Sequence, residues 1–405
     1  MAQHFDALVV GGGPGGAMAA LLLAQAGWSV ALVERRAFPR RKVCGEYLSL
    51  TNWPLFERIG LSDALNRLAG PQVSQVALMI GSTTLVSELP RDDAGAAAWG
   101  RALSRERLDT LLVDEARRAG VDVRQPASVT SMARVHGGHA CRVVADEQGD
   151  MCELHATIVV AAHGSWEPGP LATQPPRSPL RSGDLLGFKA HFLNSRLPER
   201  LMPLVSFAGG YGGMVHCEGG RVSFSCCIRR ERLESLRGQP GQSAGDAVFD
   251  YVLSACPAVR TVLGGAQREG PWLAAGPIRP GIRRRYVDRV FVVGNAAGEA
   301  HPVVAEGISM AMQSAWLLCE RLAADGGRVR SRRECDEVAV DLAGRDYAAI
   351  WRNAFAGRIR AAAAVAHWAM HPAAVQAALP LVRRCPSLLT WGARRCGKAR
   401  VLHDC

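Results

Sequence analysis

The hydrophobic pattern changes period twice within the first 34 residues. Residues 7–10 form a short continuous apolar run, as expected for a strand buried on both faces, and the run ends in Gly11-Gly12-Gly13-Pro14-Gly15-Gly16. A stretch rich in Ala and Leu follows, which predicts a helix. It breaks at Gly27, and a second apolar run, 30–33, leads to Glu34. Further on, 52–68 predicts a helix with Pro54 near its start and Leu55, Ile59 and Leu61 on its apolar stripe. Residues 72–89 alternate like strands, with Val73, Val76, Leu78 and Ile80 on the buried face. A helix opens at Leu103 and runs to Gly120, burying Leu108, Leu111, Leu112 and Ala116. A strand over 121–129 and a small meander, 140–145 and 152–162, complete this part; the meander's last six residues are continuously apolar.

From Leu185 the pattern becomes β-rich, with strands predicted at 185–192, 204–208, 213–216 and 222–228 and a glycine-rich turn at 209–213. A helix over 245–263 and strands around 267–277 follow. The apolar run 286–293 then enters Gly294-Asn295-Ala296-Ala297-Gly298, and Pro302 to Ile308 lead into a helix through Leu322. From 331 onward the chain reads as helical, with breaks at Pro372, Pro380 and Pro386. This organisation predicts a nucleotide-binding domain from 1–180 and 281–330, a β-rich substrate domain at 181–280 and a C-terminal helical region at 331–405.

The first strand-turn-helix carries the clearest chemistry. Gly11 permits the tight turn, Gly13 lets backbone approach a pyrophosphate, and Gly16 lets helix and strand pack closely. The helix start at Pro14-Gly15 offers N–H groups and a positive dipole end to phosphates. Glu34, roughly 20 residues on, suits ribose hydroxyls. After it, Arg35-Arg36 and Arg40-Arg41-Lys42 form a cationic loop suited to a dinucleotide's phosphates or to a reduced cofactor's anion. In the same loop Cys44, a thiol among cations, has the setting of a reactive cysteine. Arg105, at the head of a helix, is placed to reach a phosphate.

Composition narrows the class. A chain of 405 residues exceeds what a single core usually supports, roughly 250–300 residues, and suits two substructures. The net charge of +11 concentrates late: Arg352, Arg358, Arg360, Arg383, Arg384, Arg394, Arg395, Lys398 and Arg400 face only Asp404. A solvated helical face explains this, and peripheral docking of the basic helices on a membrane is the alternative. No aromatic-basic module points to nucleic acid. Twelve cysteines without a CxxC pair give no metal-ligand set and read as reduced thiols. With no secretory pattern at the start and no spanning apolar run, a cytoplasmic protein is expected.

With both glycine-punctuated junctions in view, the chain resembles the FAD-dependent oxidoreductase superfamily that contains aromatic-ring hydroxylases of the para-hydroxybenzoate hydroxylase type, flavin halogenases and geranylgeranyl reductases. The resemblance implies an α/β fold: a Rossmann-like FAD-binding domain with an inserted β-rich substrate domain and a C-terminal helical tail. It implies that Gly11, Gly13, Pro14, Gly15, Gly16, Glu34, Arg35 and Arg105 hold the ADP half of FAD. Gly294, Asn295, Ala297, Gly307 and Ile308 would then hold the flavin half. A helix start at Gly307-Ile308 also suits the anionic reduced ring. Lys42-Val43-Cys44-Gly45-Glu46 and Glu306-Gly307-Ile308-Ser309-Met310-Ala311-Met312 resemble the geranylgeranyl-reductase branch.

Three positions depart from the pattern. Asn295 stands for the usual aspartate, Ala305 for a common glycine, and His163-Gly164 for the hydroxylases' Asp-Gly, which bears on how NADPH or NADH donates electrons. A separate electron-donor protein is therefore a second route. No Trp-x-Trp-x-Ile-Pro segment is present, which argues against halogenation. The expected function is an FAD-dependent oxidoreductase of monooxygenase type acting on a hydrophobic polyketide-, aromatic- or lipid-like molecule. A reductase transferring hydride to an alkene is the alternative, and a catalytically idle flavin-fold binding protein is a third reading from another class. Cys44, Glu46 and Tyr211 are the catalytic candidates, with Tyr47 and His216 as further pocket candidates; no metal is expected.

Overall fold

The computed structural model describes residues 3–89, 99–145, 149–165, 167–174, 178–236, 241–324, 329, 337–385 and 387–397. In chain order the main elements are β1 (Gln3–Val10), α1 (Pro14–Gln25), β2 (Val30–Val33), β3 (Gln75–Ile80), β4 (Thr83–Glu88), α2 (Arg105–Arg118), β5 (Asp122–Arg124), β6 (Ala127–Val135), β7 (Gly138–Ala145) and β8 (Met151–Ala161). Then come β9 (Leu185–Leu193), β10 (Leu201–Phe207), β11 (Gly210–His216), β12 (Val222–Arg229), α3 (Ala244–Ala255), α4 (Pro257–Leu263) and β13 (Gln267–Ile278). The chain closes with β14 (Tyr286–Val287), β15 (Val290–Val292), α5 (Gly307–Ala323), α6 (Glu337–Ala369), α7 (Pro372–Arg384) and α8 (Ser387–Arg395).

Two sheets organise the molecule. The first runs β14-β15-β8-β1-β2-β5, with β7 and β6 continuing from β8. Its centre is parallel, with Ala7 opposite Ile158 and Val30. The apolar runs of β1, β2 and β8 are buried between α1 on one side and other helices, as continuous hydrophobic strands require. The second sheet runs β13-β9-β12-β11-β10-β3-β4. Its outer face packs Phe188, Phe192, Phe207 and Phe224 on α3 and α4, with Phe192 and Phe249 stacked at 4.9 Å.

The mixed α/β architecture is the expected one, with local differences. The hairpin β3-β4 joins the second sheet, because β3 pairs in parallel with β10, Leu78 opposite Leu204. The helix expected over 52–68 is two short helices, Trp53–Arg58 and Ser62–Leu68, parted at Gly60, whose φ is +73°. That over 245–263 is divided between α3 and α4 where Pro257 begins the second. The strand over 121–129 is split into β5 and β6 at Gln125-Pro126. The run 286–293 is a tight hairpin turned by Asp288 and Arg289, both at positive φ. Residues 210–213 lie within β11 rather than in a turn; a side chain at Gly210 would strike the Phe207 ring, and one at Gly212 the Ser225 carbonyl.

The C-terminal region folds back on the molecule. α6 buries Val340, Tyr347, Trp351, Phe355, Ile359 and Ala362 at helical spacing. Pro380 lies inside α7 without ending it, whereas Pro372 begins that helix. Val375 and Leu379 of α7 pack on Leu78 and Ile80 of β3. Lys398, Arg400 and Asp404 lie outside the described residues, as does Pro386. Among the described residues no helix is long and apolar enough to cross a membrane.

Candidate active site

The turn between β1 and α1 is built by close backbone approach. A Cβ at Gly16 would sit 1.8 Å from the Gly11 carbonyl oxygen, and one at Gly11, whose φ is +109°, would sit 2.5 Å from that of Ala162. Glu34 is buried, and its carboxylate accepts the Gly12 N–H at 2.7 Å and the Arg36 N–H at 2.9 Å. Facing the turn, Arg105 makes a bidentate pair with Asp109, both bonds 2.7 Å; burial opposes the guanidinium's charge, but Asp109 outweighs it and raises the Arg105 pKa. A Cβ on Gly13 would lie 3.6 Å from the Arg105 guanidinium and 4.0 Å from that of Arg40. Lys42 also faces this space; burial, then Arg105 and Arg40, hold its ammonium down to about 8.

These features form one wall of a cavity of about 590 Å³ that runs on past the second junction. Gly11, Gly13, Pro14, Gly15, Glu34, Arg35, Cys44, Glu46, Tyr47, Arg105, Tyr211, Gly294, Asn295, Gly307 and Ile308 all line it, so chain segments nearly 300 residues apart meet in one space. Gly16 serves the packing beneath. Ala297 is buried and does not line the cavity, and His216 is turned away, bonded to the Leu197 carbonyl at 2.7 Å. Arg35 is also paired with Glu167 at 2.9 Å.

At the second junction Asn295 donates to the buried Glu299 at 3.1 Å. Burial raises the Glu299 pKa against the opposing charge of Arg283. Ala305 takes the left-handed conformation, φ +53°, that a glycine would adopt more cheaply. Glu306, fully buried, then begins α5 and pairs with Arg358 of α6 at 3.2 Å. His163 bonds Thr173 at 3.0 Å, and burial holds it down to about 4, so it is a neutral imidazole at physiological pH.

The cavity's far part is apolar. Val76, Leu78, Met202 and Leu204 of the second sheet face Trp368, Val382, Leu388 and Leu389 of the C-terminal helices. Tyr211 contributes a polar point there: its hydroxyl meets His301 Nδ1 at 3.3 Å. Burial pushes the Tyr211 pKa up and that of His301 down to about 4, so both are neutral near pH 7.

Glu46 lies at the junction of the two parts, but its carboxylate is turned into the protein. It accepts a hydrogen bond from Lys189 Nζ, the Arg105 N–H at 3.0 Å and His191 Nε2 at 2.7 Å. Burial opposes its ionisation, but His191 and Lys189 outweigh that and hold its pKa down to about 2. Glu46, His191 and Cys217 bring ligand-type atoms within 4.8 Å of one another, yet the Lys189 ammonium already engages Glu46 and would repel a metal cation. The reading of the sequence missed Lys189, His191 and His301. Lys189 and His191, two apart in an otherwise apolar strand, were the available signal; His301 offered none beyond its place before Pro302.

A glycine turn closed on a neighbouring strand, a buried acid after the second strand and a second glycine junction opening onto the same cavity are the features of a dinucleotide-binding flavoprotein fold. Residues 4–169 match the FAD binding domain family, which together with the relatives below supports an FAD-dependent oxidoreductase superfamily. The same matches support an FAD-dependent oxidoreductase enzyme, so the catalytically idle reading is set aside.

The chain is 26% identical over 351 residues to digeranylgeranylglycerophospholipid reductase 1 of Methanothermobacter thermautotrophicus, covering 82% of this chain and 81% of that protein. It is 25% identical over 336 residues to conditioned medium factor receptor 1 of Dictyostelium discoideum, covering 77% of this chain but only 62% of that protein's length. Two solved structures share the fold. The myxobacterial chondrochloren halogenase CndH aligns with a TM-score of 0.71 at 24% identity, over 88% of this chain and 83% of that one. PqsL, a probable FAD-dependent monooxygenase from Pseudomonas aeruginosa, aligns with a TM-score of 0.70 at 18% identity, over 93% and 100%.

The residues present fit FAD. The glycine cradle is one that a Cβ would fill, and Lys42 and Arg105 face it with positive charge for a pyrophosphate. Glu34 keeps lone pairs for ribose hydroxyls.

Proposed function

We propose that this protein is an FAD-dependent monooxygenase acting on a neutral, largely apolar small molecule of polyketide, aromatic or lipid type. One observation carries the reading: the cavity joins the nucleotide cradle to a chamber whose far wall, Val76, Leu78, Met202 and Leu204 opposite Trp368, Val382, Leu388 and Leu389, is apolar, while Glu46 and Glu299 along the way are already paired with Lys189 and Arg283. Such a wall gives a carboxylate or phosphate substrate nothing to pair with, and burying an unpaired charge is costly. Gly11 to Gly16, Glu34, Arg35 and Arg105 would hold the ADP half of FAD, and Gly294, Asn295, Gly307 and Ile308 the flavin half.

Bound and reduced, FAD supplies the electrons with which O2 is activated. The chain's own contribution is to exclude water, to orient the substrate between the second sheet and α6 to α8, and to move a proton. Tyr211 is the group placed for that transfer, and Cys44 faces the same space. Electrons come from NADPH or NADH, or from a separate donor protein, given His163 in place of an aspartate. The test is reduction of the purified flavoprotein without air, followed by ¹⁸O2 and a panel of neutral apolar substrates. Incorporation of ¹⁸O into product supports the reading.

A reduced alkene without ¹⁸O overturns it in favour of the second reading, a geranylgeranyl reductase-like enzyme. That reading is motivated by the Lys42 to Glu46 loop, by Glu306-Gly307-Ile308 and by the archaeal reductase relative. For either chemistry we place the protein in the cytoplasm, in peripheral contact with membrane. Leu381, Leu388 and Trp391 are exposed beside Arg383, Arg384, Arg394 and Arg395, and Leu388 also lines the cavity. Apolar groups ringed by cations suit an anionic lipid surface. Absence of co-sedimentation with anionic vesicles at low salt would remove this element.

A further inference from the structure

We propose that Lys189 and His191 are positioning residues that hold the Cys44-Gly45-Glu46 loop in its cavity-facing conformation through the buried carboxylate of Glu46. The first observation is conformational. Glu46 has φ +63°, the left-handed region that a non-glycine residue adopts at a cost, and it does so in a loop lining the cavity. A strained residue persists where its surroundings over-determine it. Here the surroundings are explicit. Glu46, Lys189 and His191 are each exposed by 2% or less. The carboxylate accepts from Lys189, from His191 at 2.7 Å and from the Arg105 N–H at 3.0 Å, while the Glu46 carbonyl accepts the Leu103 N–H at 3.1 Å.

The second observation is what the loop carries. The Glu46 N–H donates to the Cys44 sulfur at 3.4 Å, and Cys44 lines the same cavity as the Arg105 guanidinium. A Cβ on Gly45 would come 3.4 Å from Ser225 Oγ on β12, so the loop rests on the sheet at that point. Lys189 and His191 both project from the cavity-side face of β9, two residues apart, and Lys189 pairs in register with Ser225. The strand of the second sheet therefore sets the conformation of a loop that follows the first. Because neither Lys189 nor His191 lines the cavity, they act through Glu46 and not on a ligand.

The proposal rests on the functional reading only in naming what Cys44 faces, and its test needs no turnover. In the FAD-loaded protein, N-ethylmaleimide labelling of the Cys44 peptide is timed by mass spectrometry, alongside amide exchange across the chain. Lys189→Met is expected to speed both Cys44 labelling and exchange of the loop amides at least fivefold. Lys189→Met combined with Glu46→Gln leaves no buried charge unpaired, and keeps the test readable if the single variant folds poorly; it should show the same local increase. His191→Gln, which retains an N–H donor to Glu46, should stay within twofold of the parent. Unchanged labelling and loop exchange in the double variant overturn the proposal, as does an increase spread evenly over the whole chain.

Discussion

Arg358→Met tests whether the C-terminal helix α6 is coupled to the cavity by charge. Arg358 and Glu306 are both buried and lie 3.2 Å apart, and Arg358 also donates to Gln313 at 2.8 Å. At an effective dielectric constant near 20, two unit charges at that distance attract by about 5 kcal/mol. The N-terminus of α5 also stabilises the Glu306 carboxylate, by up to about 1 kcal/mol. Breaking a buried pair typically costs about 3–5 kcal/mol, so the expected loss is about 4 kcal/mol. Equilibrium urea unfolding followed by tryptophan fluorescence measures it, in a cycle with Glu306→Gln. The double variant should recover at least about 2 kcal/mol, because it no longer buries a carboxylate that has lost the Arg358 charge. Removing the Arg358 charge from beside Glu306 would also disfavour an anionic reduced flavin at the neighbouring Gly307, so the midpoint potential of bound flavin should fall. Equal stability of the single and double variants would refute the argument.

Three further outcomes are expected. Gly16→Ala places a methyl group against the Gly11 carbonyl and the Ala162 side chain, a backbone clash costing about 1–3 kcal/mol; FAD affinity should fall at least about tenfold, read as lost yellow colour and a raised Kd. Lys42 has a folded pKa near 8 against an ordinary 10.5, so between these values the unfolded chain holds a proton that the folded chain has lost. Stability of the FAD-free protein should therefore rise with pH across that window while FAD binding weakens, and Lys42→Met should abolish both trends. Glu46 has the same sign in the acid range. Its pKa falls from 4.5 to about 2 on folding, which contributes about 3 kcal/mol above pH 4.5 that is lost as pH falls through 2. Acid unfolding of Glu46→Gln should accordingly show a shallower dependence over that range.

What the chain declares by itself is local. The spacing of Gly11, Gly13 and Gly16, the apolar runs that flank them and Glu34 at the second strand's end follow from backbone sterics within one βαβ unit. Those constraints act over a few residues and survive in a linear reading. The helix start at Gly307 was readable for the same reason, and so was the β-rich character of 185–228. Tertiary structure decided whatever depended on a distant partner. Gly210 and Gly212 read as turn residues, yet they sit in β11 because Phe207 and the backbone of β12 leave no room for side chains there. Pro380 read as a break, yet α7 continues through it while Val375, Leu379 and Val382 are buried on either side. Glu46 read as an acid open to substrate. Folding brings Lys189 and His191, 143 and 145 residues away, onto its carboxylate, and a carboxylate shut away from water must be paired or protonated.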